Sequence, residues 1–182
     1  MNKLLGIFIF LFGGIFLMGA ENLLKDGDME DKTVKWEAVS APESVEAEQI
    51  VEKTHEFPHN YTHCLRVCDK WDTVNPYAAR KVKWTNGGVP NLIFWGRKQQ
   101  PGQFRAGFIF WKNGQRVGAV LYGFAATTEW EHYSINPNCK IPQDIDEVQV
   151  VFFPTGKSTM QETGCLFIDD AILTRTASGK PQ

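Results

Sequence analysis

Apolar residues along this chain recur at every second position or in short unbroken runs, and the runs are separated by Gly, Pro and Asn. No segment of ten or more residues carries a helical stripe. His63 to Asp69, Arg80 to Trp84, Asn91 to Arg97, Phe104 to Lys112, Gln115 to Phe124, Trp130 to Ile135, Glu147 to Phe153 and Cys165 to Thr174 therefore read as strands. Their spacing is that of a β-sandwich or jelly roll. Asn113-Gly114 supplies the two positive-φ positions of a type I′ turn and predicts a hairpin. Residues 85–90, 136–142 and 154–164 are connecting loops, whereas the acidic stretch 41–56 suits either an irregular strand or a short helix.

Strand alternation assigns faces. Phe104, Ala106, Phe108 and Phe110 share the core face, leaving Arg105, Ile109 and Trp111 opposite. Leu92 and Phe94 point in, with Ile93, Trp95 and Arg97 out; continuing past the hairpin, Val117, Ala119 and Leu121 point in, with Val120, Tyr122 and Phe124 out. One sheet is then expected to display Trp95, Trp111 and Tyr122, flanked by Arg97 and Arg105, on its outer surface. An aromatic ring packs against the C–H face of a pyranose while polar side chains bind the hydroxyls, so this set is a candidate saccharide platform.

Positions 4–19 carry no charge, follow Lys3, and end at the small residues Gly19 and Ala20, as a secretory signal does. The run holds four glycines and is shorter than the roughly 20 apolar residues of a membrane span. Cleavage after Ala20 is expected to leave a sandwich over 21–175 and a flexible tail over 176–182, with no membrane attachment once the signal is gone. Residues 21–182 have 18 basic against 21 acidic side chains, a net −3. Without a basic run, the chain has no electrostatic footprint for nucleic acid.

Export permits disulfides among Cys64, Cys68, Cys139 and Cys165. Cys64 and Cys68 on one strand stand about 13 Å apart, beyond the roughly 7 Å that a bridge spans. Each is left to pair with Cys139 or Cys165, or to stay free.

Several short strings offer chemistry and fail on context. His55-Glu56-Phe57-Pro58-His59 fits H-E-x-x-H, but that motif holds zinc only on a helix, which Pro58 breaks. With His63, these histidines form a loop cluster expected to be solvated. Gly156-Lys157-Ser158 lacks the earlier glycine of a phosphate loop, since position 151 is Val. Asn60-Tyr61-Thr62 is a formal glycosylation acceptor.

The two ends of the chain become informative together. Asn22-Leu23 through Asp31, followed by Trp36-Glu37, resembles the N-L-x-x-N-G-x-F-E opening of carbohydrate-binding modules of families 4, 9 and 22, and Cys165 to Arg175 (CLFIDDAILTR) resembles their closing strand. THCLRV, NLIFWGRK and TTEWEHYSINPNCKIP match further motifs in the same order. Asp26 stands where Asn is usual and Met29 where Phe is usual. The resemblance implies an all-β, galactose-binding-like jelly roll with a structural calcium (Ca2+) and a glycan site, and it makes Trp36, Trp84 and Trp130 structural.

In such a fold the first and last strands meet, so Asp28 or Glu30 is expected to approach Asp169 or Asp170 and complete an oxygen shell for calcium. The expected protein is a secreted, extracellular or periplasmic, monomeric module, not an enzyme, that binds a poly- or oligosaccharide. The alternative is an extracellular or envelope structural protein using the same sandwich for protein–protein interaction. Hydrolysis is disfavoured, because the neighbouring carboxylates Asp144, Asp146 and Glu147 read as a loop and Asp169-Asp170 as the calcium strand, not as a cleft pair about 5 Å apart.

Overall fold

A computed structural model describes residues 21–176 except 43, 72–73, 86, 138–140 and 157–162. The expected signal, the last six residues of the expected tail, Cys139 and the Lys157-Ser158 string lie outside the described residues.

The chain runs β1 (Glu37–Val39), α1 (Ala47–Ile50), β2 (Val51–Thr54), β3 (Cys64–Asp69), β4 (Tyr77–Lys83), β5 (Val89–Lys98), β6 (Gly102–Lys112), β7 (Gln115–Ala126), β8 (Glu131–Ile135), β9 (Glu147–Phe153) and β10 (Gly164–Thr176). Two five-stranded sheets form, in the orders β1-β4-β9-β6-β7 and β2-β3-β10-β5-β8. Every strand pair is antiparallel. Most connections cross from one sheet to the other, which makes the sandwich a jelly roll. We refer to the sheets by their edge strands, as the β1–β7 sheet and the β2–β8 sheet.

All eight strands read from alternation are present. The stretch 41–56 is both of its alternatives in succession, the single turn α1 followed by β2. Several strands run past the bounds read for them: β4 begins at Tyr77, Val89 and Pro90 belong to β5, β6 begins at Gly102, β7 continues to Ala126 and β10 spans Gly164 to Thr176.

Between the sheets lie the inward rows of every strand. Leu92, Phe94, Phe104, Phe108, Phe110 and Phe152 are fully buried, as are Trp84 and Leu166. Burying each such side chain favours folding by about 1.5–3 kcal/mol. Phe94 is the common neighbour of an aromatic cluster drawn from both sheets, stacked on Tyr133 and edge-on to Phe104, Phe124 and Phe152.

The chain start is stitched to the last strand. Asn22 accepts hydrogen bonds from the amides of Leu24 and Leu173 and donates to the carbonyl of Ala171, while the Ala171 amide donates to Gly27 O. These bonds realise the expected meeting of the ends.

The expected facing of β7 is corrected. Asn113 and Gly114 do take φ of 51° and 74° in the β6–β7 turn. Beyond the turn, Trp111 pairs with Arg116 but Phe110 pairs with Gly118, so Val117 is an extra residue, a bulge. One inserted residue inverts all that follows. Tyr122 and Phe124 consequently pack against the core, whereas Val117 and Leu121 point out.

Candidate functional site

The five residues expected on one platform are divided between two surfaces. Trp95 and Arg97 lie on β5 in the β2–β8 sheet, Trp111 and Arg105 on β6 in the β1–β7 sheet, and Tyr122 faces the core. Alternation correctly turned Trp95, Arg97, Arg105 and Trp111 outward. Their assembly on one sheet is corrected, because β5 pairs with β10 and β8 while β6 pairs with β9 and β7.

The outer face of the β2–β8 sheet is roofed by the loop 55–63. Phe57 packs edge-on against Phe167 with ring centroids 5.4 Å apart, and the Arg97 guanidinium lies 4.3 Å from the Phe57 ring centroid. His59 stacks on Trp95 at 4.2 Å and also meets Trp130. Trp95 is thus covered by an imidazole on one side and touched by His132 on another.

Three carboxylates hold this roof. Glu30 accepts hydrogen bonds from the amides of Thr62 and His63 (2.8 and 2.7 Å), from the Thr62 hydroxyl (2.6 Å) and from His63 Nδ1 (3.0 Å). Desolvation acts to raise its pKa, but those bonds outweigh it and hold the carboxyl at about 2. Asp169 accepts from the His59 and Asp170 amides, and Asp170 from His59 Nδ1 and the Asn60 amide group. The clamps keep Phe57 in the left-handed region at φ 54°, which a bulky side chain rarely adopts.

The three loop histidines do not gather around a common point: the His55 and His63 rings meet at 4.0 Å, but His59 stacks on Trp95. His55 is bound to Thr62 O, His59 to Asp170 and His63 to Glu30. The Asn60 and Thr62 side chains of the glycosylation string are likewise engaged by Asp170 and Glu30.

Nor do the four carboxylates expected at calcium converge as a set. Among the described residues no group of three or more His, Cys, Asp or Glu side chains is placed to hold a metal. Asp28 accepts from the Glu30 amide, and Glu30 and Asp170 serve as clamps. Asp169 is different. It is fully buried and forms no ion pair among the described residues; burial, with the adjacent Asp170 charge adding, pushes its carboxyl up to about 6 against the hydrogen bonds it accepts.

The outer face of the β1–β7 sheet is organised otherwise. Tyr77 on β4 stacks on Phe153 of β9 at 4.4 Å, and the Arg105 guanidinium lies 4.5 Å from the Phe153 ring centroid, with Nε donating to Thr155 O. Toward the other end, Lys81 Nζ sits 4.0 Å from the Trp111 ring centroid and pairs with Glu147, while Trp111 Nε1 donates to Gln149 Oε1 at 3.1 Å. Ala79, Ile109 and Val151 form the floor between the two ends. The Tyr77 phenol is held above its ordinary pKa chiefly by burial, and the Arg116 charge opposes that, so Arg116 on β7 acts across this face.

Tyr77, Lys81, Gln149 and Phe153 were not singled out from sequence. Tyr77 lies three residues before the start read for its strand. In Glu147 to Phe153 the near-continuous apolar run hid the alternation; Gln149, the one polar residue inside it, marks the outward row that Val151 and Phe153 continue. A fully covered central strand reads this way on both faces.

No protein-family model and no curated protein matches the sequence. Solved structures do match the fold. The structure of TmCBM61 in complex with β-1,4-galactotriose superposes with a TM-score of 0.58 at 16% identity, covering 86% of this chain and 100% of that one. The CBM22-1 xylan-binding domain of Paenibacillus barcinonensis Xyn10C gives 0.56 at 13% identity over 82% and 91%. The enzymatically active domain of bacteriophage CBA120 tailspike protein 4 gives 0.61 at 12% identity over 85% of this chain, but only 21% of that one. The fold is therefore the jelly-roll sandwich of carbohydrate-binding modules.

Proposed function

We propose that this chain is an exported, non-catalytic carbohydrate-binding module whose saccharide lies across the outer face of the β1–β7 sheet. The observation that carries the reading is the pair of half-buried rings Tyr77 and Trp111 along that face, lying over the buried Phe153 and Gln149 and flanked by Lys81 and Arg105. Aromatic rings offer apolar area to a pyranose, and the flanking cations offer donors to its hydroxyls. Trp95 and Arg97 have no part in this site, because they lie on the opposite surface under His59 and Phe57. Export is supported by the Cys68–Cys165 disulfide, a bond typical of oxidising compartments.

Affinity in the millimolar-to-micromolar range is expected of a shallow platform with few polar contacts. Trp111→Ala and Tyr77→Ala are each expected to weaken glycan binding at least tenfold in a titration calorimeter, while Trp95→Ala leaves it unchanged. Loss of binding with Trp95→Ala alone would move the site to the other sheet. A protein that binds no glycan, and whose mass in sedimentation grows with concentration, would favour the protein-binding alternative.

The proposal includes a structural calcium at Asp169, whose carboxylate braces the loop at His59; of the other expected ligands, Glu30 and Asp170 would have to release hydrogen bonds to the loop 59–63 to join it, and Asp28 one to the Glu30 amide. Support comes from the buried, unpaired Asp169 carboxylate described above. Calcium at a hundredfold excess over its dissociation constant stabilises a folded protein by about 2.7 kcal/mol. EGTA is accordingly expected to lower the melting temperature by several degrees, and Asp169→Asn to remove the response. An identical melting curve with calcium and with EGTA would eliminate the ion.

A further inference from the structure

The proposed platform has a charge character that bears on its ligand. Strand register places Lys81 and Lys83 of β4, Arg105 of β6 and Arg116 of β7 on the outer face of the β1–β7 sheet, against Glu37 of β1 and Glu147 of β9. Four cations thus face two anions in a chain whose net charge is −2. The loop-clamping carboxylates Glu30, Asp169 and Asp170 belong to the opposite side of the molecule.

The cations also occupy the ring faces. Lys81 lies over Trp111 and the Arg105 guanidinium over Phe153, whose ring also stacks with Tyr77. A neutral sugar would have to displace Lys81 to reach that face of the indole, giving up the cation–π contact. A sugar bearing an anion instead meets a cation already held in place. The Lys81–Glu147 pair is no obstacle, since both side chains are about a third exposed (34% and 33%) and such surface pairs contribute little. Arg105 and Trp111 stand six residues apart on β6, about 20 Å, so the two cationic ends suit a polymer rather than a single sugar.

We infer that the platform selects an acidic polysaccharide, one whose sugar units carry carboxylate or sulfate groups, bound through Lys81, Arg105 and Arg116 alongside Trp111 and Tyr77. The inference rests on the proposed saccharide platform and narrows it to an anionic class.

The test titrates the purified protein with polygalacturonate, fully methyl-esterified polygalacturonate, neutral galactan, dextran sulfate, dextran and single-stranded DNA, at 50 and 500 mM salt. Polygalacturonate or dextran sulfate is expected to bind at least tenfold more tightly than its uncharged counterpart, and to lose at least tenfold at high salt. Which of the two binds more tightly identifies the carboxylate or the sulfate as the recognised group. The double variant Lys81→Ala/Arg116→Ala should remove most of the advantage, and Arg66→Ala on the opposite sheet should not. Circular dichroism of the double variant verifies its fold.

Equal binding to charged and uncharged polymers, insensitive to salt, would overturn the inference and leave the saccharide platform standing. Binding to none would overturn both. Tighter binding to DNA than to either acidic polysaccharide would overturn the inference in favour of a nucleic-acid surface.

Discussion

Phe94→Ala is expected to destabilise the protein by about 3–5 kcal/mol, the range for losing a large buried aromatic side chain. Phe94 has no solvent exposure and meets Tyr133 of β8, Phe104 of β6, Phe124 of β7 and Phe152 of β9 at centroid distances of 5.4, 6.2, 6.3 and 5.0 Å. It is therefore a contact between the two sheets as much as a residue of its own strand. Truncation removes transfer free energy and leaves a cavity whose walls belong to four strands, none of which can close it alone. Urea unfolding should show a lower midpoint with an unchanged slope. Loss below about 1.5 kcal/mol, the range of a volume-conserving swap, would mean that the sheets do not pack around this ring.

Phe94 also shows what was legible in the sequence. Its inward position follows from alternation through Asn91 to Arg97, as does the outward position of Trp95. What alternation does not carry is the sheet to which a strand belongs. Trp95 and Trp111 were both correctly turned outward, yet they face opposite sides of the molecule, because sheet membership depends on pairing with β9 and β10, far along the chain. Tyr122 failed for a local reason. The single extra residue Val117 inverts β7, and nothing in the string QRVGAVLYGF marks the insertion.

The short edge strands show a further limit. With three residues in β1 and four in β2, neither is long enough to display a period. The acidic residues are an intermediate case. Their meeting at the chain ends was expected, but the partner that Glu30, Asp169 and Asp170 grip, the loop 59–63, comes from a segment that read only as a solvated loop. Loops acquire their partners from tertiary structure, and the sequence of HEFPHNYTH contains only half of each contact.

Reducing the Cys68–Cys165 disulfide is expected to lower stability by about 2–5 kcal/mol, and the melting temperature on the order of 10 °C. The argument begins with strand geometry. Cys68 and Cys165 are directly opposed in the β3–β10 register with Cα atoms 4.1 Å apart, whereas Cys64 lies four residues along β3, out of reach of Cys68. The bridge closes a loop of 97 residues, and the entropy removed from the unfolded chain grows with the logarithm of loop length.

Cys64 does not compete for the bridge. Burial chiefly, with the charges of Asp169 and Glu56 adding, pushes its thiol up to about 12, and its Sγ donates to Glu56 O. A thiol held protonated in this way is a poor nucleophile for exchange. In the folded protein Cys64 should therefore resist alkylation at pH 8 and react only in urea, and a non-reducing peptide map should join residues 68 and 165. Alkylation of Cys64 without denaturant would show that the loop 55–63 opens readily. A melting temperature indifferent to reductant would show that the cross-strand bridge does not restrain the unfolded chain. The bridge and the Glu30 and Asp169 clamps act on the same surface, where β3 and β10 run side by side. Its loss is thus expected to loosen the roof over Trp95 before it disturbs Trp111 and Tyr77, and glycan binding should outlast reduction at temperatures below the lowered melting point.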